Sequence, residues 1–229
     1  MDLFFILVEP AVPGNVGASA RAIKTMGFNQ LRLVNPCDHL STEARMLAHA
    51  SGEILEKARV YSSLEEALED IDLSIATTAK KRDARVEFYP NTDLPGIIES
   101  KGESVKSTGI VFGGEESGLS NEQIRMCDVA SSIPLKQTYP SLNLSQAVMI
   151  YAYTLADLSV IEESGRVSPE SISPKRDNEF RAMMDKSKDM LVEMGVDKSP
   201  ALYNHILERL AILGEEDIHL LLSVLGRMK

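Results

Sequence analysis

Thr138-Tyr139-Pro140-Ser141-Leu142-Asn143-Leu144-Ser145 runs without a break into the apolar segment 146–160. Hydroxyl and amide side chains alternate here with Leu142 and Leu144. A solvent loop has no use for those leucines, and a core strand has none for Ser141 and Asn143. The mixture predicts a half-buried loop whose polar groups face a ligand, followed by a helix that anchors it. The bland alternative is a tight buried turn in which Ser141 and Asn143 cap backbone groups.

Upstream, residues 3–8 (LFFILV) form a continuous apolar run, the mark of a strand buried on both faces of a parallel sheet. Pro10, Pro13 and Gly14 predict a turn, and Ala18, Ala22, Ile23 and Met26 set a helical face from Asn15, with Gly27 as its stop. Strands are expected at 31–34, 59–61, 71–77, 109–112 and 129–134. Helices are expected at 41–51 (stopped by Gly52), 63–70, 94–99, 120–126 and 145–161. Ser63-x-x-Glu66 and Ser120-x-x-Gln123 read as capping boxes. Residues 79–108 are otherwise polar and irregular. This alternation defines an α/β fold with a mostly parallel sheet and helices on both faces.

Residues 162–177 are rich in Ser, Pro and charge and read as a linker. Beyond it, Phe180, Met183, Met184, Met190, Leu191 and Met194 share one helical face. Two more helices follow, at 202–213 and 215–225. The expected organisation is a domain over 1–161, the linker, and a small helical C-terminal extension over 178–229.

The chain has 229 residues, is 44% hydrophobic and carries a net charge of −10. Global disorder is excluded by that apolar content. No run is long and apolar enough to cross a membrane, and residues 1–5 lack the basic region of a signal peptide. With Cys37 and Cys127 in no C-x-x-C pattern, a cytoplasmic protein with reduced thiols is expected. The charge argues against a general nucleic-acid binder, yet Lys80, Lys81, Arg82 and Arg85 form a local basic cluster suited to phosphate contacts, or simply a solvated loop. His39, His49, His205 and His219 lack ligand spacing, so no metal is expected.

Two further patches sit at strand ends. In Pro13-Gly14-Asn15-Val16-Gly17, the glycines permit close backbone approach, and the helix start favours a polar or anionic ligand; an ordinary strand-to-helix turn with a surface Arg21 is the alternative. In Phe112-Gly113-Gly114-Glu115-Glu116-Ser117-Gly118-Leu119, Gly113 and Gly118 have P-loop spacing, but Leu119 stands where the lysine belongs. A glycine-rich turn with solvated glutamates remains open there.

Taken together, Asn15-x-Gly17-x-x-x-Arg21-Ala22, Phe112-Gly113-x-Glu115-x-x-Gly118-Leu119 and Ile133-Pro134…Ser141-Leu142-Asn143-Leu144-Ser145 resemble the three motifs of the SPOUT superfamily of RNA methyltransferases, in its TrmH/TrmJ-like branch, over residues 1–160. The resemblance implies a C-terminal deep trefoil knot, S-adenosyl-L-methionine as cofactor, a homodimer through the knot helices, and methyl transfer to a ribose 2′-hydroxyl. The RNA would be tRNA, with the anticodon loop as the TrmJ-like expectation; rRNA, or a non-catalytic RNA- or cofactor-binding role, are the alternatives. By the same resemblance the donor would lie against Thr77, Thr78, Ala79, Gly113, Ile133, Ser141, Leu142, Asn143 and Leu144. Arg21, Asn15, Glu115, Ser141 and Asn143 would be the catalytic polar set, and Arg21 with Lys80, Lys81, Arg82 and Arg85 would bind RNA. An arginine is a poor proton acceptor, so Arg21 is expected to bind phosphate and stabilise a developing alkoxide, oriented by Asn15. One position departs from the TrmJ-like pattern: Gly114 replaces its usual Arg.

Overall fold

The computed structural model describes residues 1–79, 87–137, 141–159 and 178–227. Seven strands make one parallel sheet: β1 (Asp2–Val8), β2 (Gln30–Val34), β3 (Arg59–Tyr61), β4 (Leu73–Thr77), β5 (Phe88–Pro90), β6 (Ser107–Phe112) and β7 (Val129–Ser132), in the order β3-β2-β1-β6-β4-β7-β5. Between them lie α1 (Pro13–Thr25), α2 (Thr42–Ala48), α3 (Gly52–Lys57), α4 (Leu64–Leu68), α5 (Leu94–Glu99), α6 (Asn121–Met126) and α7 (Leu144–Thr154). The C-terminal helices are α8 (Glu179–Glu193), α9 (Pro200–Ala211) and α10 (Glu215–Leu225).

The apolar run of β1 buries both faces, as a central parallel strand must. Phe5 and Leu7 point into the larger core with Val16 and Ile23 of α1, Leu94 and Ile98 of α5, and Val148 of α7. Ile6 and Val8 point the other way, to Leu64 and Ala67 of α4 and Ile124 of α6. Phe5 stacks on Phe112, whose ring meets Tyr151 of α7 edge-on at 5.5 Å. On the second face the fully buried Arg32 forks onto Asp70 and lies 4.1 Å over Phe4, clamping the end of α4 to the sheet.

Several boundaries differ from the sequence reading. Helix α1 begins at Pro13, because proline at the first helical position gives up no needed N–H. Gly52 starts α3 rather than ending a helix; the break falls at His49, whose φ of 46° is left-handed. The Ser63 cap forms, but Glu66 reaches back to Ser62 instead of closing the box. Strand β5 lies in the stretch read as irregular: three residues ending in proline at the sheet edge give almost no local signal. Helix α7 ends at Thr154 and not at 161, and Met194 is 67% exposed rather than inward.

Helices α8–α10 lie at the amino end of the sheet. Phe180, Met183, Met184, Ala211 and Ile218 share the larger core. Asp128, just before β7, accepts from Ser74 N and Oγ at 2.8 and 2.6 Å and from both terminal nitrogens of Arg181. Lys101 is fully buried; its Nζ donates to Ala211 O and to Leu213 O at the end of α9, 4.9 Å from the Phe180 ring centre. Glu215 accepts from Glu103 N at 2.9 Å.

Candidate active site at the carboxyl end of the sheet

In an open parallel sheet, chain turns leaving the strands at their carboxyl ends build the ligand crevice. Here β1 leads to α1, β4 ends at Thr77, β6 runs into Gly113, and β7 runs toward Ile133. A cavity of about 150 Å³ opens among them. Thr77, Thr78, Ala79, Gly113, Ile133, Ser141, Leu142 and Leu144 all line it. Of the nine residues expected around the donor, Asn143 alone is not on this wall. Leu135, Ala147 and Tyr151 are wall residues that the sequence reading missed. Tyr151 is 1% exposed and donates to Ser131 Oγ at 3.0 Å, which ties α7 to β7 under the cavity. Its phenol is held neutral by burial, which pushes its pKa well up.

The three sequence patches meet at the mouth of the cavity. Glu115 crosses to the start of α1 and accepts from Ala11 N at 2.9 Å, Val12 N at 3.2 Å and Asn15 Nδ2 at 2.7 Å. Helix α1 has no side-chain cap of its own, so this carboxylate supplies the acceptors its entry lacks. The polar site expected at that helix start is thus filled from within the chain. Asn15 Oδ1 accepts from Asn143 Nδ2 at 2.8 Å. Asn143 caps α7: its Oδ1 accepts from Ser145 N and Oγ at 2.8 and 2.7 Å, and its N–H donates to Gln146 Oε1 at 3.0 Å. Burial pushes the Glu115 carboxyl up, but the bonds from Asn15, Ala11 and Val12 prevail and hold it below its ordinary value.

Arg21 is exposed on α1, and among the described residues its guanidinium has no hydrogen-bond partner. No hydrogen bond joins it to Asn15, whose amide meets Glu115 and Asn143 instead. Lys80, Lys81, Arg82 and Arg85 lie outside the described residues. Among the described residues no group of three His, Cys, Asp or Glu side chains could hold a metal.

Two glycines serve packing. A Cβ on Gly17 would stand 2.0 Å from Ala44 O, so its bareness admits α2 rather than a ligand. A Cβ on Gly114 would stand 2.6 Å from Glu9 O, where Glu9 itself is left-handed with φ of 52°. The chain at the end of β1 occupies the space that a side chain at 114 would need.

A crevice at the carboxyl end of a parallel sheet, with apolar walls and a chain of amides at its mouth, defines an α/β protein built to hold a small ligand beside a polar second substrate. The SpoU rRNA Methylase family model matches residues 2–153, and the chain belongs to that family. It is 37% identical over 222 residues to the uncharacterized tRNA/rRNA methyltransferase LasT of Escherichia coli (strain K12), covering 96% of this chain and 94% of that protein. It is 34% identical over 220 residues to the tRNA (cytidine-2′-O-)-methyltransferase TrmJ of Methanocaldococcus jannaschii, covering 92% and 93%. The crystal structure of TrmJ from Z. mobilis ZM4 superposes with a TM-score of 0.66 at 27% identity, over 99% of this chain and 98% of that one.

Proposed function

We propose that the chain transfers a methyl group from S-adenosyl-L-methionine to a ribose 2′-hydroxyl of tRNA, with the anticodon loop as the target region. The observation that carries this reading is the convergence of Glu115 and Asn143 on Asn15, 100 and 128 residues away in sequence, at the rim of the cavity. S-adenosyl-L-methionine is the methyl donor in this family, and the cavity suits it. Leu142, Leu144, Ile133 and Leu135 offer apolar wall to its carbon skeleton, and the strand ends at Thr77–Ala79 and Gly113 offer backbone groups. When bound, the donor supplies a sulfonium methyl for displacement by an oxygen nucleophile, a reaction in which positioning carries most of the acceleration.

The chain's own residues do the rest. Arg21 binds the phosphate next to the target ribose and stabilises the developing 2′-oxygen charge. Ser141, at the exposed edge of the wall, holds the hydroxyl near the donor. Lys80, Lys81, Arg82 and Arg85 extend the phosphate contacts, and shape and phosphate recognition of RNA needs only such a local patch within an acidic protein.

The knot belongs to the same reading. Strand β7 enters between β4 and β5, both of which precede it in the chain, and α7 then returns to pack on α1. The protein acts as a homodimer through α1 and α7. Tyr153 on α7 is 72% exposed and Met46 on α2 68% exposed, with Val12 and Leu47 exposed nearby in the chain; such apolar groups on the helices around α1 suit burial against a second copy. Residues 1–161 form the transferase unit, 162–177 the linker and 178–229 a helical extension. A tRNA substrate implies a cytoplasmic site of action; among the described residues no helix is long and apolar enough to cross a membrane.

The test incubates the full chain with labelled donor and separate pools of tRNA and rRNA. Label entering tRNA is expected. Donor binding without transfer to either pool, beside an active control enzyme, would overturn the enzymatic reading; label entering rRNA alone would move the substrate.

A further inference from the structure

Glu115 has acceptors only, and Asn15 lies 2.7 Å from it. Asn15 must therefore turn its amino end to Glu115 and its oxygen to Asn143. Asn143 must then use Nδ2 toward Asn15, at 2.8 Å, which leaves its oxygen for Ser145 N and Oγ. One carboxylate thus dictates the order of the whole chain, and neither amide can flip without opposing like groups. Both carboxamide oxygens face partners inside the protein. Each Nδ2 retains one N–H that no bond among the described residues uses.

We infer that Glu115 is a positioning residue that sets the polarity of the Asn15–Asn143 amide pair, so that the pair presents N–H donors to an oxyanion of the RNA. This rests on the proposed function above. The oxyanion is a phosphate oxygen of the RNA or the 2′-oxygen as its proton leaves; both call for donors. The pair supplies no proton acceptor, so the 2′-hydroxyl proton passes to solvent water as the oxygen takes the methyl group.

Asn143→Asp is the discriminating variant, set beside Asn143→Ala in the full chain. The carboxylate of N143D keeps the oxygen that caps α7 but replaces the N–H end with a negative oxygen. Single-turnover transfer to a tRNA transcript is expected to fall at least tenfold further for N143D than for N143A, with S-adenosylhomocysteine affinity unchanged in both. If tRNA affinity falls in parallel, the oxyanion is a phosphate; if only the rate falls, it is the 2′-oxygen. N143D transferring as fast as N143A, or faster, would overturn the donor polarity.

Glu115→Gln covers the case in which N143D fails to melt cooperatively. Its expected signature is a three- to tenfold loss of rate at unchanged S-adenosylhomocysteine affinity, and an unchanged rate would count against the inference. The side-chain amide resonances of Asn15 separate this inference from the reaction itself. They are expected to move in E115Q even if no RNA is methylated, and unmoved resonances would overturn the positioning role.

Discussion

The two ends of the sheet use polar side chains in opposite ways. At the amino end, buried charges are consumed by the fold: Asp128 by Ser74 and Arg181, and Lys101 by two carbonyls at and just past the end of α9. At the carboxyl end, the polar chain Glu115–Asn15–Asn143 is joined internally but keeps unused donors, and Arg21 stands exposed six residues after Asn15 on α1. A polar group whose bonds are all made inside the protein rigidifies; one that keeps a free donor at a cavity mouth is available for chemistry. The difference teaches that burial alone does not mark the site. Of the deeply buried ionisable groups, Lys101 and Asp128 attach the C-terminal helices and Arg32 clamps α4, away from the cavity.

That contrast can be broken by substitutions at each end. Arg21→Ala should lower single-turnover methyl transfer by about 10²-fold, the usual cost of losing one charge-stabilising donor, while the melting temperature stays within a degree or two. An equal loss of stability would make Arg21 structural. Asp128→Ala should do the reverse. Breaking a largely buried ion pair costs about 3 kcal/mol, or roughly 6–12 °C of melting temperature for a chain of this size. The affinity for S-adenosylhomocysteine, measured by calorimetry at low temperature, should not change. A weakened donor affinity would show that the two ends are coupled.

Gly114→Ala should fall between these, because its new methyl group meets Glu9 O and must push apart β1 and the loop that carries Glu115. About 1–3 kcal/mol of stability should be lost, as in other overpacked sites, together with part of the activity; a fully active and stable variant would mean that the loop yields freely. The smallest effect concerns pH. Burial lowers the Lys101 ammonium from 10.5 to about 8. The unfolded chain then holds a proton that the folded chain releases between those values, so stability rises with pH across that window. Denaturant titrations of wild type and Lys101→Met should diverge in that direction between pH 8 and 10, and parallel curves would leave the lysine unperturbed.

Much of the fold was legible because its strands are plain. β1, β2, β4 and β6 are mostly apolar runs of the kind a doubly covered sheet requires, the capping box at Ser120 holds as read, and at Ser63 the N-cap forms without the box. β5 was not legible, since a three-residue edge strand forms through its partner β7 rather than through local preference. The residues of the site were readable as three motifs, but their connection was not. Glu115 meets Asn15 across 100 residues and Asn143 meets Asn15 across 128, distances at which sequence spacing carries no geometry. Gly17 does admit a close backbone approach, but that the approaching segment is α2 was not legible, because this contact is equally non-local. Tyr151 escaped notice because its place on an apolar helix resembles ordinary core; the one available cue was a hydroxyl in a buried stripe, which needs a partner.

The central claim is that the carboxyl end of the sheet directs a methyl group to a ribose oxygen. Nucleosides from tRNA treated with the wild-type chain and S-adenosyl-L-methionine, separated and fragmented by mass spectrometry, test it most directly. The account predicts that the added methyl travels with the ribose fragment of a single nucleoside and that Arg21→Ala nearly abolishes it. A methyl group travelling with the base, or none above the level of heat-inactivated protein, would contradict it.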